Sequence, residues 1–190
     1  MLIFTLFRKF FFKILKVAHN TRRKFMKLLW TSRLKNTAKE YGTDLHVCGK
    51  CEFNGQLYLG NNVSFNGMII QGKGTVRIGN NFRSGIECMM VTQNHDYDTG
   101  DALPFGKQFD YKTITIGDNV WLGNRVTITG DTTIGEGAIV AAGSLVCKDV
   151  PPLAIVGGNP AKVLKYRNEE HYNRLKKEQK FASPKRRRWL

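Results

Sequence analysis

The sequence predicts an all-β fold built from short repeated strands. Residues 116–151 divide into six consecutive hexads whose first residues are all branched and apolar: Ile116, Leu122, Ile128, Ile134, Val140 and Val146. The fourth residue after each is small or β-branched: Val120, Val126, Thr132, Ala138, Ser144 and Val150. A period of six is neither the helical 3.6 nor the strand period of two. It marks a repeat architecture, in which each unit buries its apolar side only by stacking on its neighbours.

Residues 1–40 predict a basic amphipathic helical segment, with eleven basic residues and one acidic residue, Glu40. Polar residues recur every three or four positions and would form one stripe: Lys9, Lys13, Lys16, Asn20, Arg23 or Lys24, and Lys27. Charges interrupt the apolar run, which argues against a membrane-spanning helix and against a signal peptide. A wide apolar face beside a lysine stripe favours a helix that lies in a membrane interface. Packing on the body or on a partner subunit is the alternative.

The formal net charge of +15 is concentrated at the two ends of the chain. Residues 41–161 hold eight basic and eleven acidic residues, whereas residues 162–190 hold eleven basic and three acidic residues. A mildly acidic body with basic ends is typical of a protein that contacts an anionic surface. No nucleic-acid reader motif accompanies the basic residues, so we expect no specific nucleic-acid partner. A basic-ended scaffold that binds membranes or polyanions is the non-enzymatic alternative.

The hexads extend back to Val47, with more degenerate sequences. The predicted inward pairs are Val47/Cys51, Phe53/Leu57, Leu59/Val63, Phe65/Ile69 and, after one extra residue within QGKGT, Ile78/Phe82, Ser84/Cys88 and Met90/Asn94. Together the two stretches give about fourteen hexads. Pro151 and Pro152 end the repeats, since proline cannot continue a strand ladder. A helix is expected from Ala161 to about Lys180, followed by a basic tail, ASPKRRRWL, in which Trp189 is a candidate membrane contact.

His95 directly precedes residues 96–115, which interrupt the hexads. A loop that leaves a rigid repeat is a common location for function. A neutral imidazole can accept a proton near neutral pH, so His95 is the candidate catalytic base. A purely structural histidine is the alternative. The other histidines, His19, His46 and His171, lie away from this break.

These hexads, together with NHDYD, VWLGN, VAAGSLVCKD and GNPAKV, resemble the hexapeptide-repeat acyltransferases, and in particular the sugar and polysaccharide O-acetyltransferases related to the galactoside and maltose enzymes. The resemblance covers roughly residues 90–165. It implies a left-handed parallel β-helix with three hexads per triangular coil, and therefore four to five coils within residues 41–161. It also implies a homotrimer that uses acetyl-CoA as co-substrate and needs no metal.

The same resemblance implies the residues of the site. His95 would be the general base, with Asp96 and Tyr97 beside the acceptor. Three groups would line a coenzyme A cleft between subunits: Trp121 and Asn124 at the thioester, Ala142, Cys147 and Lys148 along the pantetheine arm and the nucleotide, and Lys162 and Lys165 at the phosphates. The group that orients His95 stays open between Asp96, Asp98 and a backbone carbonyl. No serine lies in a nucleophile elbow, which predicts direct transfer.

The basic ends favour an acceptor held at a membrane, namely a sugar hydroxyl of a cell-surface polysaccharide or of its lipid-linked precursor. A soluble enzyme for a small free sugar or a xenobiotic is the alternative. Cys48 and Cys51 have the spacing of half a zinc site, but no second pair completes it. Four cysteines without a recognisable pairing pattern fit a reducing compartment. We therefore expect a cytoplasmic protein, peripheral at the inner face of the cell membrane.

Overall fold

The computed structural model describes the backbone of residues 2–183 and the side chains of residue 8 and of residues 10–183. The elements in chain order are α1 (Leu2–Thr37), β1 (Glu40–Tyr41), β2 (His46–Val47), β3 (Glu52–Phe53), β4 (Gln56–Leu59), β5 (Ser64–Phe65), β6 (Met68–Gln71), β7 (Thr75–Ile78), β8 (Arg83–Ser84), β9 (Cys88–Val91), β10 (Gln93–His95), β11 (Phe109–Tyr111), β12 (Thr113–Ile116), β13 (Trp121–Leu122), β14 (Thr127–Thr129), β15 (Thr132–Ile134), β16 (Ile139–Val140), β17 (Leu145–Val146), β18 (Ala154–Gly157), β19 (Lys162–Tyr166) and α2 (Glu169–Lys177).

Three parallel sheets form the sides of a triangular prism. Sheet A contains β1, β4, β7, β12 and β15, sheet B contains β2, β5, β8, β13, β16 and β18, and sheet C contains β3, β6, β9, β14 and β17. The chain visits sheets A, B and C in turn, so that described residues 40–157 complete five coils and begin a sixth. The predicted left-handed parallel β-helix is confirmed, and β1 and β18 extend it slightly at the two ends. We name the edges of the prism the AB, BC and CA corners.

The interior of the prism is filled by the two inward residues of each hexad. All twelve inward positions predicted between Ile116 and Val150 are buried. Leu122 illustrates the stacking, because it lies between Ser84 in the coil before and Val140 in the coil after. Burial of a valine, leucine or isoleucine side chain stabilises the folded state by about 1.5–3 kcal/mol relative to leaving it exposed. The six-residue period is therefore the period of the core.

Two of the early inward positions are wrong, since Ile69 and Asn94 are exposed. Met68 occupies the inward position instead of Ile69, because the corner after Phe65 is one residue shorter than the corresponding corner of the next coil. Ile114 occupies the inward position expected for Asn94, because the chain has left the coil there and returns only at β12. Both errors lie where the repeat changes length.

The interruption of the repeats spans residues 93–112, not the predicted 96–115. Ile114 and Ile116 are already inward residues of β12, which fixes where the chain rejoins the prism. The interruption is an excursion from the CA corner, and its base is an antiparallel pair of β10 and β11 in which His95 lies opposite Phe109. A short hairpin therefore holds the loop that follows His95.

A hydrogen-bonded ladder of side-chain amides runs along the AB corner. The Nδ2 of Asn62 donates to the Oδ1 of Asn81, and the Nδ2 of Asn81 donates to the Oδ1 of Asn119, each over 2.8 Å. All three residues have φ near +60°, which asparagine tolerates better than most residues. The Nδ2 of Asn119 then donates to the Oη of Tyr172 in α2, over 2.8 Å. The ladder thus fixes both the corners and the C-terminal helix.

Helix α1 closes the N-terminal end of the prism with its last turns only. Leu34 is fully buried, and Trp30 and Ala38 pack against the core. The backbone N–H of Val47 donates to the Oγ1 of Thr31 over 3.2 Å. Residues 10–25, by contrast, are exposed throughout. Within the described residues, no helix combines the length and the apolar character that crossing a membrane requires.

The helix predicted from Ala161 to about Lys180 is wrong in its first half. Residues 162–166 form β19, which pairs antiparallel with β18 at the edge of sheet B. The helix begins only after Asn168, whose side chain accepts a hydrogen bond from the backbone N–H of His171 over 2.7 Å. The free edge of β18 pairs with these residues, and this pairing overrides their local tendency to form a helix. Residues 184–190, including Trp189, lie outside the described residues.

The carboxylate of Glu136 attaches α2 to the prism. Its Oε1 accepts hydrogen bonds from the Oη of Tyr172 over 2.8 Å and from the Nζ of Lys176 over 2.6 Å. Burial alone would raise the pKa of Glu136, but these two donors outweigh it and hold the pKa below the usual value. Burial and the bond to Glu136 in turn raise the pKa of Tyr172 to about 12. The helix is therefore held over sheet B by charged hydrogen bonds.

Candidate functional site

His95 lies at the end of β10, on the CA corner, between two aromatic rings. Its imidazole stacks on Phe105 with a centroid distance of 3.8 Å, and the ring of Phe109 lies 4.4 Å away. The excursion supplies both rings, because it folds back over its own base. The two phenylalanines fix the plane of the imidazole and exclude water from its faces. Neither phenylalanine was predicted from the sequence as a site residue, although both lie in the segment that interrupts the hexads.

The carboxylate of Asp96 holds the loop and not the imidazole. Its Oδ1 accepts from the backbone N–H of Thr99 over 2.9 Å, and its Oδ2 accepts from the Oγ1 of Thr99 over 2.6 Å. These hydrogen bonds lower the pKa of Asp96. The Nδ1 of His95 is buried and has no hydrogen-bond partner among the described residues. Asp96 therefore does not orient His95 within one chain, and Nε2 is the nitrogen left to meet an acceptor. Tyr97 is exposed on the outside of the loop.

An apolar row crosses the outer face of sheet B and ends at a lysine. Trp121 pairs with Ile139, Ile139 with Ile155, and Ile155 with Lys165 on successive strands. Three strand spacings make this row about 14 Å long. Trp121 is about half exposed, at 54%, so its indole is open to a ligand. The row offers an extended apolar surface with a cation at one end.

A β-bulge brings Lys162 and Lys165 to the same side of β19. Lys162 pairs with Gly157 and Lys165 with Ile155, with a register shift between these pairs. Residues two apart on a strand point to one face, and directly paired residues share a face. The bulge thus gives two lysines that are three residues apart a common outward direction. A regular strand would have placed them on opposite faces.

Asn124 and Ala142 lie on successive coils at the BC corner. The Oδ1 of Asn124 accepts from the backbone N–H of Ile86 over 3.1 Å, and its carbonyl accepts from Gly143 over 2.8 Å. A Cβ at Gly123 would lie 2.6 Å from the backbone nitrogen of Ala142, so the close stacking of these corners requires glycine. Both Asn124 and Ala142 are exposed. They flank the sheet that carries Trp121.

Cys147 and Lys148 are not on that corner. They follow β17 and lie at the CA corner, which also carries His95. A step of six residues moves the chain from one corner to the next, so that Ala142 and Lys148 are one side of the prism apart. The predicted site residues therefore form two groups. One group lies on sheet B and its BC corner, the other lies on the CA corner, and sheet C separates them.

A cavity of about 380 Å³ lies between sheet B and α2. Its apolar wall includes Trp121, Ile139, Leu175 and Phe181. The buried residue Arg83 also lines the cavity, and its guanidinium donates to the backbone oxygens of Asn62 and Ala182. Arg83 was not predicted from the sequence, because a lone arginine within a degenerate hexad carries no motif.

The cysteine pair at residues 48 and 51 belongs to the core and its rim. Cys51 is buried, as its inward hexad position predicts, and its Sγ accepts from the backbone N–H of Met68 over 3.2 Å. Burial raises the pKa of the Cys51 thiol to about 11, which disfavours the thiolate that metals bind. Among the residues whose side chains are described, no three His, Cys, Asp or Glu residues cluster as metal ligands would.

Comparison with known proteins connects this geometry to a family. The family model for the bacterial transferase hexapeptide (six repeats) matches residues 113–148. The galactoside O-acetyltransferase of Escherichia coli is 31% identical over 134 residues, which are 70% of this chain and 60% of that protein. The chain spans about three fifths of the length of the first curated relatives it matches, at 58% for two of them.

Two solved structures extend the comparison to three dimensions. A maltose O-acetyltransferase from Clostridium difficile 630 is 30% identical with a TM-score of 0.54, and the match covers 70% of each chain. A hexapeptide-repeat containing acetyltransferase from Vibrio cholerae O1 biovar eltor, complexed with acetyl coenzyme A, is 29% identical with a TM-score of 0.57, over 68% of this chain and 72% of that one. This chain therefore belongs to the bacterial hexapeptide-repeat transferase family.

Proposed function

We propose that the protein is an acetyl-CoA-dependent O-acetyltransferase in which His95 is the general base. The observation that carries the proposal is the imidazole itself, held between Phe105 and Phe109 at the base of the one long excursion from the described coils. A catalytic base must be fixed in direction and kept partly dry, and the two rings supply both. The named acetyltransferases among the relatives support the same class of reaction.

The reaction is a direct transfer in one addition and one elimination. The Nε2 of His95 accepts the proton of the acceptor hydroxyl while the hydroxyl oxygen attacks the thioester carbonyl. Collapse of the tetrahedral intermediate breaks the C–S bond, and the leaving thiolate of coenzyme A takes the proton back from the imidazole. Backbone N–H groups near the cleft would stabilise the oxyanion. The products are the O-acetyl ester and free coenzyme A.

The surface of sheet B fits the shape and charge of acetyl-CoA. The row from Trp121 to Lys165 suits a pantetheine arm, and the bulge at β19 directs Lys162 and Lys165 toward the phosphates. Lysine binds phosphate as a point charge and lacks the bidentate geometry of arginine. Asn124 and Ala142 would border the arm at the BC corner. The complex of the Vibrio cholerae relative with acetyl coenzyme A supports this choice of donor.

Two copies of the chain would complete one site. In a single chain sheet C separates His95 from Trp121, so the base of one copy must meet the donor surface of another. The outer face of sheet C is apolar enough to pack against a second copy, with Ile69, Met89, Val91 and Leu145 directed outward. We therefore propose a homotrimer with sites between subunits. Cys147 and Lys148, beside His95, would then contact the nucleotide of a donor bound mainly by the neighbouring copy.

The acceptor is a sugar hydroxyl, and we favour a cell-surface polysaccharide or its lipid-linked precursor. The exposed basic helix α1 supports this choice, because a small soluble substrate gives such a helix no role. Asp96 shapes the loop at the acceptor side, and the exposed ring of Tyr97 can contact a sugar face. The alternative acceptor is a small free sugar or a xenobiotic.

An acceptor panel separates these substrate classes. We expect acetyl-CoA-dependent release of coenzyme A with lipid-linked or polymeric saccharides, and much slower release with free galactosides, maltose or chloramphenicol. Mass spectrometry of the acceptor should show one added acetyl group per coenzyme A released. Faster transfer to the small acceptors would select the soluble alternative. Loss of the thioester without an acetylated product from any acceptor would contradict acyl transfer.

A further inference from the structure

We propose that α1 docks the protein on an anionic lipid bilayer, with its apolar face in the bilayer and the β-helix on the aqueous side. The exposure, direction and charge of α1 support this location. Membrane docking does not depend on the transfer chemistry, and it adds a location to the proposed function.

Most of α1 has no partner in the described chain. Residues 10–25 are exposed, and several large apolar side chains show half or more of their surface: Phe10 at 63%, Phe11 at 51%, Phe12 at 62%, Val17 at 59%, Phe25 at 59% and Leu28 at 71%. A helix of 36 residues is about 54 Å long. Contiguous exposed apolar surface on this scale marks an interaction site.

The basic stripe and the contacts with the body lie on the same face of α1. Thr31, Leu34 and Ala38, the last directly after the end of α1, contact the prism and are spaced three and four residues apart. The same spacing continues toward the N-terminus through Lys27, Lys24, Asn20, Lys16 and Lys13. Residues three and four apart are neighbours on one helical face. We call this face the body-side stripe.

A row of apolar residues lies on the other side of α1. Phe11, Ile14, Ala18, Phe25 and Leu29 are roughly 120–180° around the helix axis from the body-side stripe, at about 100° per residue. The other exposed apolar residues, Phe10, Phe12, Val17 and Leu28, lie on the two flanks between that row and the stripe, at roughly 60–85° from the stripe. Arg22 interrupts this face, but a long arginine side chain can reach toward headgroups. A bilayer that takes up this face leaves the lysines at headgroup level and the prism in water. If the apolar residues had shared the face of α1 that contacts the prism, their insertion would have brought the prism into the lipid.

Charge selects a membrane over a second protein copy as the partner. Residues 8–27 contain eight basic and no acidic residues: Arg8, Lys9, Lys13, Lys16, Arg22, Arg23, Lys24 and Lys27. A bundle of α1 helices from several copies would bring these like charges together. An anionic leaflet instead attracts each basic residue by about 1 kcal/mol. The apolar face and the charges thus both find partners at an anionic surface.

The test is sedimentation of the full chain with lipid vesicles. We expect strong binding to vesicles of equal parts phosphatidylcholine and phosphatidylglycerol, and weak binding to phosphatidylcholine alone. The Lys13→Gln, Lys16→Gln variant should bind the anionic vesicles about 30-fold less, since two basic residues are removed. The Phe11→Gln, Phe25→Gln variant should bind both kinds of vesicle less.

The matched control is Ser32→Gln, Asn36→Gln, which makes the same replacement at two exposed positions of α1 and should bind as the unaltered protein does. Circular dichroism checks that each variant keeps its helix. Absence of binding by the unaltered protein, or unchanged binding by the phenylalanine variant, would overturn the proposal. A phenylalanine variant that loses its assembly mass in light scattering, with vesicle binding intact, would instead assign α1 to subunit packing. Acetyl-CoA binding, measured in parallel, reports separately on the proposed function.

Discussion

His95→Ala should lower kcat for acetyl transfer by roughly 10²–10⁴, the range for loss of a general base. The neighbouring carboxylate of Asp96 is not expected to replace the imidazole, because it accepts two hydrogen bonds from Thr99. Acetyl-CoA should still bind, since the proposed donor surface on sheet B does not include His95. Coenzyme A release and calorimetric binding, measured on the same preparation, check both expectations.

His171→Ala is the matched control, because His171 is exposed on α2 and its side chain lies outside the proposed site. It should keep normal turnover. If His95→Ala retained near-normal kcat, the base would have to be another group, and the proposed mechanism would be wrong. Loss of donor binding in His95→Ala would point to a structural role for the histidine.

Leu122→Ala should lower the free energy of unfolding by about 2–5 kcal/mol, because it opens a cavity in a fully buried stack. Leu122 lies in a central coil, between the layers of Ser84 and Val140, and neither neighbour can fill the space without moving its strand. Thermal unfolding followed by circular dichroism measures the change, at roughly 2–4 °C per kcal/mol for a chain of this size.

Thr133→Ala provides the comparison, since Thr133 points outward from β15 in a neighbouring coil. Its stability should change by less than about 0.5 kcal/mol. Equal losses of unfolding free energy in the two variants would show that inward and outward positions of the hexad contribute equally to stability. That outcome would contradict the stacking model of the core.

The regular part of the fold was predictable because its signal is periodic. From Ile116 to Val150 each inward residue repeats at six, and no insertion disturbs the count. The errors at Ile69 and Asn94 have one cause, which is a change in the length of a corner. The corner after Phe65 has one residue fewer than a regular corner, and the turn around Gly72–Gly74 has two residues more. Only the net insertion of one residue was visible in the sequence.

The C-terminal segment shows how tertiary structure overrides local pattern. The sequence after Ala161 permits a helix, yet β18 offers an unpaired strand edge that residues 162–166 fill. Nothing local signals that edge, because it is created by the last coil. The same pairing supplies the bulge that directs Lys162 and Lys165 to one side.

The candidate site could be predicted only in part, because some of its contacts form only in the folded protein. His95 stood out because the repeats stop beside it. Phe105 and Phe109 did not, since their contacts with the imidazole arise only when the hairpin folds back. The predicted donor residues are divided between sheet B with its BC corner and the CA corner. The six-residue step implies this division, but the distance between the two groups is known only from the folded prism.

Calorimetric titration of the purified full chain with acetyl-CoA is the most direct test of the proposed transferase. We expect saturable binding with one site per chain, weakened when Lys162 and Lys165 are both changed to alanine and retained in His95→Ala. A complete absence of binding would contradict the proposed function. The protein would then be a basic-ended β-helix without a donor site.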